Sequence, residues 1–431
     1  MATASTNIKP GSFNYPQDVS LDVLDIILSN NEKYSVKGLL IELNYFEDLY
    51  GFVVSGYMTL KDSVGLIEKL KLTGRESIEI KFDRTINGNR PTQKFRLYSI
   101  PTRKPIGNLS GEILHVYFCS EELLTSEISK VTTSYKGFAI VGMIQKILRE
   151  ELKSRKDFFG QYTAGTYSFN IPTIRPFEAI SWLSTYALPF AENRKGADML
   201  FYENYDGFHF KSLGSLYEQN VYKTYKYQQK NTSVNDIEQG VVSVLDYQFI
   251  KSFDALNEVS SGTFANRLIA IDPLTRGIKI TDFDYLNPIT YSGNSLNANK
   301  AVPPVSKVSP KSVIKISPFN SGQQNKEYIP VGSVSPDIRS ETTIPNRTAQ
   351  IALSNYTVLK IRIPGDPNIS IGKVINFNLL TFLRNDTNSQ DNLDKFYSGK
   401  YIVTAVRHII QSQGVFQTVL EIAKESTPGR I

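Results

Sequence analysis

Three pairs of neighbouring carboxylates are the side chains of this chain best suited to acid–base chemistry. Glycoside hydrolysis needs two carboxyl groups that face each other across a cleft. Neighbours in a strand point to opposite faces and neighbours on a helix splay apart, so sequence adjacency does not supply such a pair. We therefore predict no catalytic residues and a protein that is not an enzyme. The pairs are Glu121 and Glu122, Glu150 and Glu151, and Asp282 and Asp284.

The three histidines are the next candidates, as metal ligands. His115, His209 and His408 are far apart in the sequence, and each lies in an alternating, strand-like run. A metal site needs several ligands that converge. We predict that each histidine makes a hydrogen bond within a sheet, and that the chain holds no metal.

Cys119 is the only cysteine, which excludes an intrachain disulfide and a cysteine-based metal site. As a nucleophile it would need a histidine beside it. His115 is four residues away in the same predicted strand, so it shares a face with Cys119 but lies roughly 13 Å along the strand. We predict a buried structural cysteine.

Two further motifs partly match binding sites, one for phosphate and one for nucleic acid, and neither match is complete. Residues 160–165 read Gly-Gln-Tyr-Thr-Ala-Gly, without the Lys-Ser/Thr that completes a phosphate-binding loop, and we predict no cofactor. Residues 223–230 interleave lysine and tyrosine, as in surfaces that bind single-stranded nucleic acid. A strand with tyrosines on one side and solvated lysines elsewhere explains the same pattern, and we prefer it. The net charge of +6 is scattered, without a run of five basic residues.

The composition indicates a β-rich globular protein of more than one domain. The chain has 431 residues, with 24 tyrosines and 24 phenylalanines against one tryptophan. Its first ten residues are polar and lack the apolar region of a signal peptide. No apolar run approaches the roughly 18 residues of a membrane span. We expect a soluble protein that is not exported by the usual signal and is not anchored in a membrane.

Period-2 alternation marks two groups of predicted strands. In the first group the runs are 34–46, 50–60, 76–82, 94–100 and 112–118, with a short helix from Asp62, and they predict a small barrel. In the last fifth the runs are 358–375, 398–408 and 417–422, with a Gly-Asp-Pro turn at 365–367. Between the groups, helical spacing predicts helices over 134–151 and 171–188, and a hairpin turns at 205–207.

The predicted division of the chain follows from these patterns. It is a flexible N-terminal arm (1–20), a first barrel (21–120), an inserted α+β domain (121–225), the first part of a second barrel (226–286), a Pro/Ser/Asn-rich extension or insert (287–347), the remainder of the second barrel (348–425) and a C-terminal tail (426–431).

Several segments, in order, resemble the baseplate central hub proteins of contractile-tailed, T-even-type bacteriophages, which are related to the hub part of type VI secretion spike proteins. They are 39–48, 56–66, 72–80, 171–183, 199–208, 262–272, and the closing run with its Gly-Asp-Pro turn and Gly-Lys-Tyr strand at 399–401. The resemblance covers residues 20–425, and residues 287–347 have no match in it. It implies an α+β, mostly β, fold of two tube-type antiparallel β-barrel domains with an inserted α+β domain.

The resemblance also implies a function, that of a structural hub in the tail baseplate of a virion, assembled in the host cytoplasm. A homotrimer would supply six barrels and so match a hexameric tail tube, while its threefold base would receive a trimeric central spike. The implied neighbours are the spike, the tail tube or tube-initiator protein and the baseplate wedge proteins. DNA or the tape-measure protein would pass through the channel without sequence-specific binding.

Three alternatives remain open from the sequence. The first is the hub of a contractile secretion or injection system, which a fused spike would favour. The second is a tail-associated cell-wall hydrolase, which needs a carboxylate pair. The third is a β-rich adhesin with exposed aromatic or variable loops.

Overall fold

The computed structural model describes most of the chain in eleven ranges. These ranges are residues 18–84, 90–107, 111–190, 198–227, 240–271, 276–287, 294–304, 308–318, 340–381, 393–412 and 414–428. Among these residues, no helix is both long enough and apolar enough to cross a membrane.

The first group of predicted strands is confirmed and encloses its own core. Alternate residues are buried in strands such as β4, where Gly56, Met58 and Leu60 face inward, whereas all three residues of β2 are exposed. A short helix α1 (Leu66–Leu70) follows Asp62, whose carboxylate accepts from the backbone N–H groups of Val64 and Leu66. The strands are β1 (Ser20–Ile27), β2 (Lys33–Ser35), β3 (Leu40–Asp48), β4 (Ser55–Asp62), β5 (Ser77–Asp83), β6 (Gln93–Pro105) and β7 (Glu112–Cys119).

The middle of the chain is α+β, with a core of its own between helices and a hairpin. Its helices are α2 (Glu121–Ile128), α3 (Ile140–Lys146), α4 (Pro176–Ser184) and α5 (Leu213–Tyr217), and a π-helical turn (Ile147–Glu151) continues α3. Its strands are β8 (Ser134–Phe138), β9 (Phe158–Gly160), β10 (Tyr167–Asn170), β11 (Met199–Asn204) and β12 (Gly207–Ser212). The predicted hairpin is confirmed as the antiparallel pair β11–β12.

The prediction of one helix over 134–151 was wrong at its start. Ser134–Phe138 is a strand, because it pairs with β10. Gly137 has φ +68°, a conformation that interrupts a right-handed helix. Phe138, an apolar residue of that predicted helix, is 37% exposed.

In the described part of the remaining chain, two further α-helices and eleven further strands follow. The helices are α6 (Ala255–Ser260) and α7 (Ser340–Ser354). The strands are β13 (Thr224–Tyr227), β14 (Asp246–Lys251), β15 (Ala265–Ile271), β16 (Ile278–Asp284), β17 (Asn299–Lys300), β18 (Ile314–Pro318), β19 (Thr357–Pro364), β20 (Val374–Leu379), β21 (Gly399–Gln411), β22 (Phe416–Lys424) and β23 (Ser426–Thr427).

Apart from β15 and β16, the described strands of both predicted barrels belong to one continuous, 13-stranded sheet. Its order is β14-β19-β22-β21-β3-β4-β7-β6-β5-β1-β2, with β20 and β13 attached beside β21. The junction is the antiparallel pair β21–β3, in which His408 lies opposite Tyr45. The α+β, mostly β, class is confirmed, and within the described strands the pairing closes neither barrel.

The Pro/Ser/Asn-rich stretch contributes ordered pieces to the fold. Its β18 adds to β15 in a second sheet with β16, and a small core packs that sheet against α7. Its β17 pairs with β23, which falls in the predicted C-terminal tail. Helix α7 spans residue 347, where the sequence suggested a domain boundary.

Candidate functional site

The Gly-Asp-Pro turn that follows β19 forms the centre of a buried polar cluster. Asp366 is 4% exposed. Its Oδ2 accepts from Lys223 Nζ at 2.5 Å, and both of its carboxylate oxygens accept from the Tyr222 hydroxyl at 3.1 Å. The Tyr225 hydroxyl, on the fully buried side of β13, approaches Oδ2 at 3.4 Å. These contacts satisfy the negative charge within the protein, as burial requires.

The turn needs a glycine at its first position. Gly365 N–H donates to the carbonyl oxygen of Phe416 at 2.9 Å, which brings the turn directly against that ring. A Cβ at residue 365 would lie 2.0–2.6 Å from carbon atoms of the Phe416 ring. The side chain of Asp366 also accepts from Asn368 N–H at 3.2 Å, which fixes the path of the chain after the turn.

The turn is connected to His408 by a short hydrogen-bond path. Asp366 N–H donates to Thr418 Oγ1 at 3.2 Å, and that oxygen lies 3.0 Å from His408 Nδ1. Burial lowers the pKa of His408 well below its usual value, so the ring is neutral. His408 packs among Tyr45, Phe82 and Phe416. The predicted role of His408 as a hydrogen-bonded strand residue agrees with this geometry.

Arg90 and Glu47 bring the first group of strands and the middle domain into the same junction. The Arg90 guanidinium lies over the rings of Phe82 and Tyr205, at 4.2 and 4.7 Å, and donates to the carbonyl oxygen of Pro367. The Glu47 carboxylate accepts from the backbone N–H groups of Tyr205 at 3.1 Å and Ile371 at 3.3 Å. The Glu47 side chain thus contacts two segments that are distant in the sequence. One is the turn of the β11–β12 hairpin at Tyr205, and the other is the segment before β20 at Ile371.

Glu47 is an ionisable group buried at this junction. Burial raises its pKa to about 7, against the opposing attraction of Arg90. A carboxyl group whose folded pKa is raised stabilises the fold at low pH, and this contribution is lost as the pH rises from about 4.3 to beyond 7.

We expect the stability of the wild-type chain to fall between pH 5 and 8 by more than that of Glu47→Gln, with a difference in slope of at most about 1.4 kcal/mol per pH unit. Glutamine keeps a carbonyl oxygen for one of the two N–H groups and does not titrate, so it lowers stability by an amount that does not vary with pH. Urea unfolding at four pH values measures the difference. Parallel pH profiles for the two proteins would contradict the raised pKa.

A second buried charge cluster joins the first group of strands to the middle domain. Lys156 Nζ lies 2.6 Å from Glu203 and 2.7 Å from Glu122. Glu203 also accepts from Ser120 Oγ at 2.6 Å and from Val54 N–H at 3.0 Å, beyond the end of β7 and before β4. Burial raises the pKa of Glu203, and Lys156 opposes that rise. We call Glu122, Lys156 and Glu203 the charge triad.

The charge triad contains one member of a predicted carboxylate pair. Glu122 is bound by Lys156 and Ser154, whereas its neighbour Glu121 is exposed. Asp282 is bound to Arg267 at 2.6 Å on the surface. No two members of a predicted pair are brought together across a cleft in the described structure. Sequence reasoning missed Lys156 and Glu203 because 47 residues separate them.

The remaining candidates occupy structural positions. His115 Nδ1 lies 3.0 Å from Thr59 Oγ1 on the neighbouring strand, and His209 Nε2 lies 2.9 Å from Asn204 Oδ1. Cys119 is buried, which raises the pKa of its thiol to about 11 and makes it a poor nucleophile. In the described part of the chain, no three His, Cys, Asp or Glu side chains converge as a metal site.

The glycine-containing run 160–165 and the lysine–tyrosine run 223–230, which the sequence did not favour as ligand sites, each contribute residues to sheets. Gly160 ends β9, where a Cβ would meet Val141 at 2.6 Å. Of residues 223–230, Lys223 binds Asp366 and Tyr225 is fully buried, which supports the strand interpretation over a nucleic-acid surface. Residues 228–230 lie outside the described ranges.

The chain shares its fold with two tail proteins of known structure. It matches the tail protein from Neisseria meningitidis MC58 with a TM-score of 0.54 and 10% identity, covering 94% of this chain and 98% of the other. It matches the 43 kDa tail protein of prophage MuSo2 from Shewanella oneidensis with a TM-score of 0.53 and 8% identity, covering 94% and 100%. No family model matches the sequence.

Sequence similarity then identifies a particular relative. The chain is 24% identical over 420 residues to the probable baseplate hub protein of Vibrio phage KVP40, covering 91% of each protein. The resemblance to phage baseplate hub proteins predicted from the sequence is thereby confirmed.

Proposed function

We propose that this chain is a structural baseplate hub protein of a contractile phage tail. The observation that carries the proposal is similarity to a probable baseplate hub protein over 91% of both chains. In the proposed assembly, three copies form a ring that adapts a hexameric tail tube to a trimeric central spike. The ring contacts the wedge proteins and leaves a channel for DNA.

The buried chemistry of the chain supports a structural role. The charge triad and the cluster around Asp366 both join segments that are distant in the sequence, and each is buried against its partners. Neither resembles a pair of carboxylates separated by the space for a substrate. Both clusters hold distant segments of the chain together, and we propose no catalytic activity for this protein.

The surface supports assembly into a larger particle. One face of the β15–β16–β18 sheet exposes isoleucines, with Ile278 and Ile280 on the edge strand β16 exposed by 67% and 57%. Cross-strand partners Ile271 and Ile269 continue this face. A contiguous apolar face on an open-edged sheet favours an assembled state over an isolated monomer.

We expect purified protein to elute as a trimer, with three times the mass of the chain by light scattering and ring-shaped particles in negative stain. Ile280→Glu is expected to shift the mass towards the monomer, because it places a charge on the apolar face. Tyr98→Glu, at a side chain 48% exposed on β6, is the matched control.

A protein that stays monomeric at high concentration would contradict the proposed ring. Zymography on bacterial cell wall tests the rival hydrolase with the same preparation, and no clearing is expected. Clearing that a single carboxylate substitution abolishes would overturn the structural assignment.

A further inference from the structure

One face of the β15–β16–β18 sheet is apolar and open to solvent. On its opposite face, Phe283 of β16 packs in a small core with Leu353 of helix α7. The open face carries Ile278 and Ile280 of β16, and β18 continues it with Ile314, which is 56% exposed. A contiguous apolar surface of this kind marks a contact with another molecule. We call it the isoleucine face, and its members are Ile269, Ile271, Ile278, Ile280 and Ile314.

A second exposed apolar surface lies at the start of helix α6. Leu256 is 87% exposed, Phe253 just before the helix is 66% exposed, and Ile250 of the edge strand β14 is 54% exposed. None of these three residues belongs to a hydrophobic core of the described chain. Single exposed apolar residues are ordinary, but three within one short segment indicate a contact surface. We call Ile250, Phe253 and Leu256 the α6 patch.

The two surfaces differ in position and in shape. Strand β15 begins shortly after α6 and ends at Ile271, which places this isoleucine and its cross-strand partner Ile278 roughly 20 Å along the strand from its start. The isoleucine face is the surface of a pleated sheet, whereas the α6 patch includes the first turn of a helix. A helix and a sheet face are complementary packing surfaces. A chain with both surfaces can contact two neighbours at once.

The charges beside the two surfaces are opposite in sign. Arg276 is exposed two residues before β16, at one end of the isoleucine face. At the other end, Arg267 and Asp282 neutralise each other in an ion pair at 2.6 Å. Asp254 is exposed within the α6 patch, where its side chain accepts from Asn257 N–H at 3.1 Å. Attraction between the exposed arginine and the exposed aspartate favours a contact between the two unlike surfaces over a contact between two isoleucine faces.

We propose that the isoleucine face of one copy of this chain packs against the α6 patch of the next copy. The contact is head-to-tail, so each copy uses one surface towards each of its two neighbours, and a threefold rotation closes the chain of contacts into a ring. A second copy is the partner that fits, because every copy carries both surfaces and one kind of contact covers both. This inference rests on the proposed three-copy ring and names the surfaces that form it.

Light scattering of full-length variants tests the contact. Leu256→Glu places a charge on the α6 patch and Ile280→Glu places one on the isoleucine face, so each is expected to shift the mass from three chains towards one. An equal mixture of the two variants retains one intact pair of surfaces, the α6 patch of Ile280→Glu and the isoleucine face of Leu256→Glu. We expect the mass of the mixture to rise towards two chains with increasing concentration, whereas neither variant alone does so.

Ile128→Glu is the matched control for Leu256→Glu. Ile128 ends helix α2 in the middle domain and is 87% exposed, the same fraction as Leu256. This variant should keep the mass of three chains. All three substitutions replace exposed side chains, so their circular dichroism and thermal unfolding should match those of the wild-type chain.

A chemical cross-link tests the direction of the contact. The native Cys119 is the only cysteine and is buried, so cysteines introduced at the surface are the reactive ones. The double variant Leu256→Cys/Ile280→Cys, treated with a short bis-maleimide, is expected to give covalent species of two and three chains on a denaturing gel. Either single variant should give no more of these species than the wild type, because the two positions meet only between different surfaces.

The outcomes separate a failure of this contact from a failure of the ring. A wild-type trimer whose mass does not change in Leu256→Glu, or a mixture of the two glutamate variants that stays monomeric, would overturn the contact and leave the ring in place. Covalent dimers from Ile280→Cys alone would show that two isoleucine faces meet each other, which also overturns it. A wild-type chain that is monomeric at high concentration would contradict the ring itself and this contact with it.

Discussion

Lys156→Met is expected to lower the free energy of unfolding by roughly 3 kcal/mol at pH 8, because it leaves Glu122 and Glu203 buried without a cation. This is the lower end of the range for buried ion pairs, since 29% of the Lys156 side chain is exposed. The only tryptophan, Trp182, packs against the core of the middle domain. Urea unfolding followed by the fluorescence of Trp182 therefore measures the loss of stability in the middle domain, which contains Lys156.

The size of this effect should depend on pH. Without Lys156, the pKa of Glu203 rises further above its unfolded value, because burial is no longer opposed by the ammonium group. The variant then becomes less stable as the pH rises above about 4.3, so its deficit is smaller at pH 5 than at pH 8. Adding Glu203→Gln to Lys156→Met should recover part of the loss.

Lys136→Met is the matched control for the triad. Lys136 lies on β8 of the same domain and is exposed, so its replacement should change stability by no more than about 0.5 kcal/mol. A loss for Lys156→Met that equals this control, or that does not change with pH, would show that the triad does not stabilise the fold.

Gly365→Ala is expected to be the second most damaging substitution, at a cost of about 1–3 kcal/mol. The added Cβ would overlap the Phe416 ring, whose near atoms are those closest to the backbone and cannot swing away. Phe416 is fully buried against Phe82 and His408. The steric overlap can therefore be removed only if the turn or β22 moves.

Hydrogen exchange measured by mass spectrometry would locate the damage from Gly365→Ala in β19, β21 and β22. Gly142→Ala is the matched control, since it lies in α3 with no other atom within 4 Å of the added Cβ. That change should stabilise the protein by up to about 1 kcal/mol. Equal stability and equal hydrogen exchange of the two alanine variants would contradict the close approach of Gly365 to Phe416.

Local patterns predicted the strands well because alternation records which face is buried. The runs that became β3, β4, β5, β7, β19 and β22 all show it. The helix predicted from residue 134 failed because tertiary pairing with β10 outweighed the helical spacing of apolar residues. The spacing of apolar residues alone does not determine which strand a short segment pairs with.

The sites were less predictable than the strands, because they depend on contacts between distant residues. The sequence pointed to Asp366 only as part of a turn, and nothing near it indicated Lys223 or Tyr222 as partners 143 and 144 residues away. The charge triad likewise combines Glu122, Lys156 and Glu203, which lie in three separate segments of the chain. Burial and long-range contact, which a single sequence does not encode locally, decide both sites.

The pairing of β21 with β3 has a consequence for the order of events during synthesis. Arg407 donates to Asn44, which is 363 residues away in the sequence. Ile410 and Phe416 complete the core that the first strands enclose. The ribosome releases β3 long before β21 is synthesised. The core of the first strands therefore lacks the side chains of β21 and β22 for most of translation. A nascent chain halted before residue 399 should therefore bind chaperones, whereas a chain extended through β22 should not.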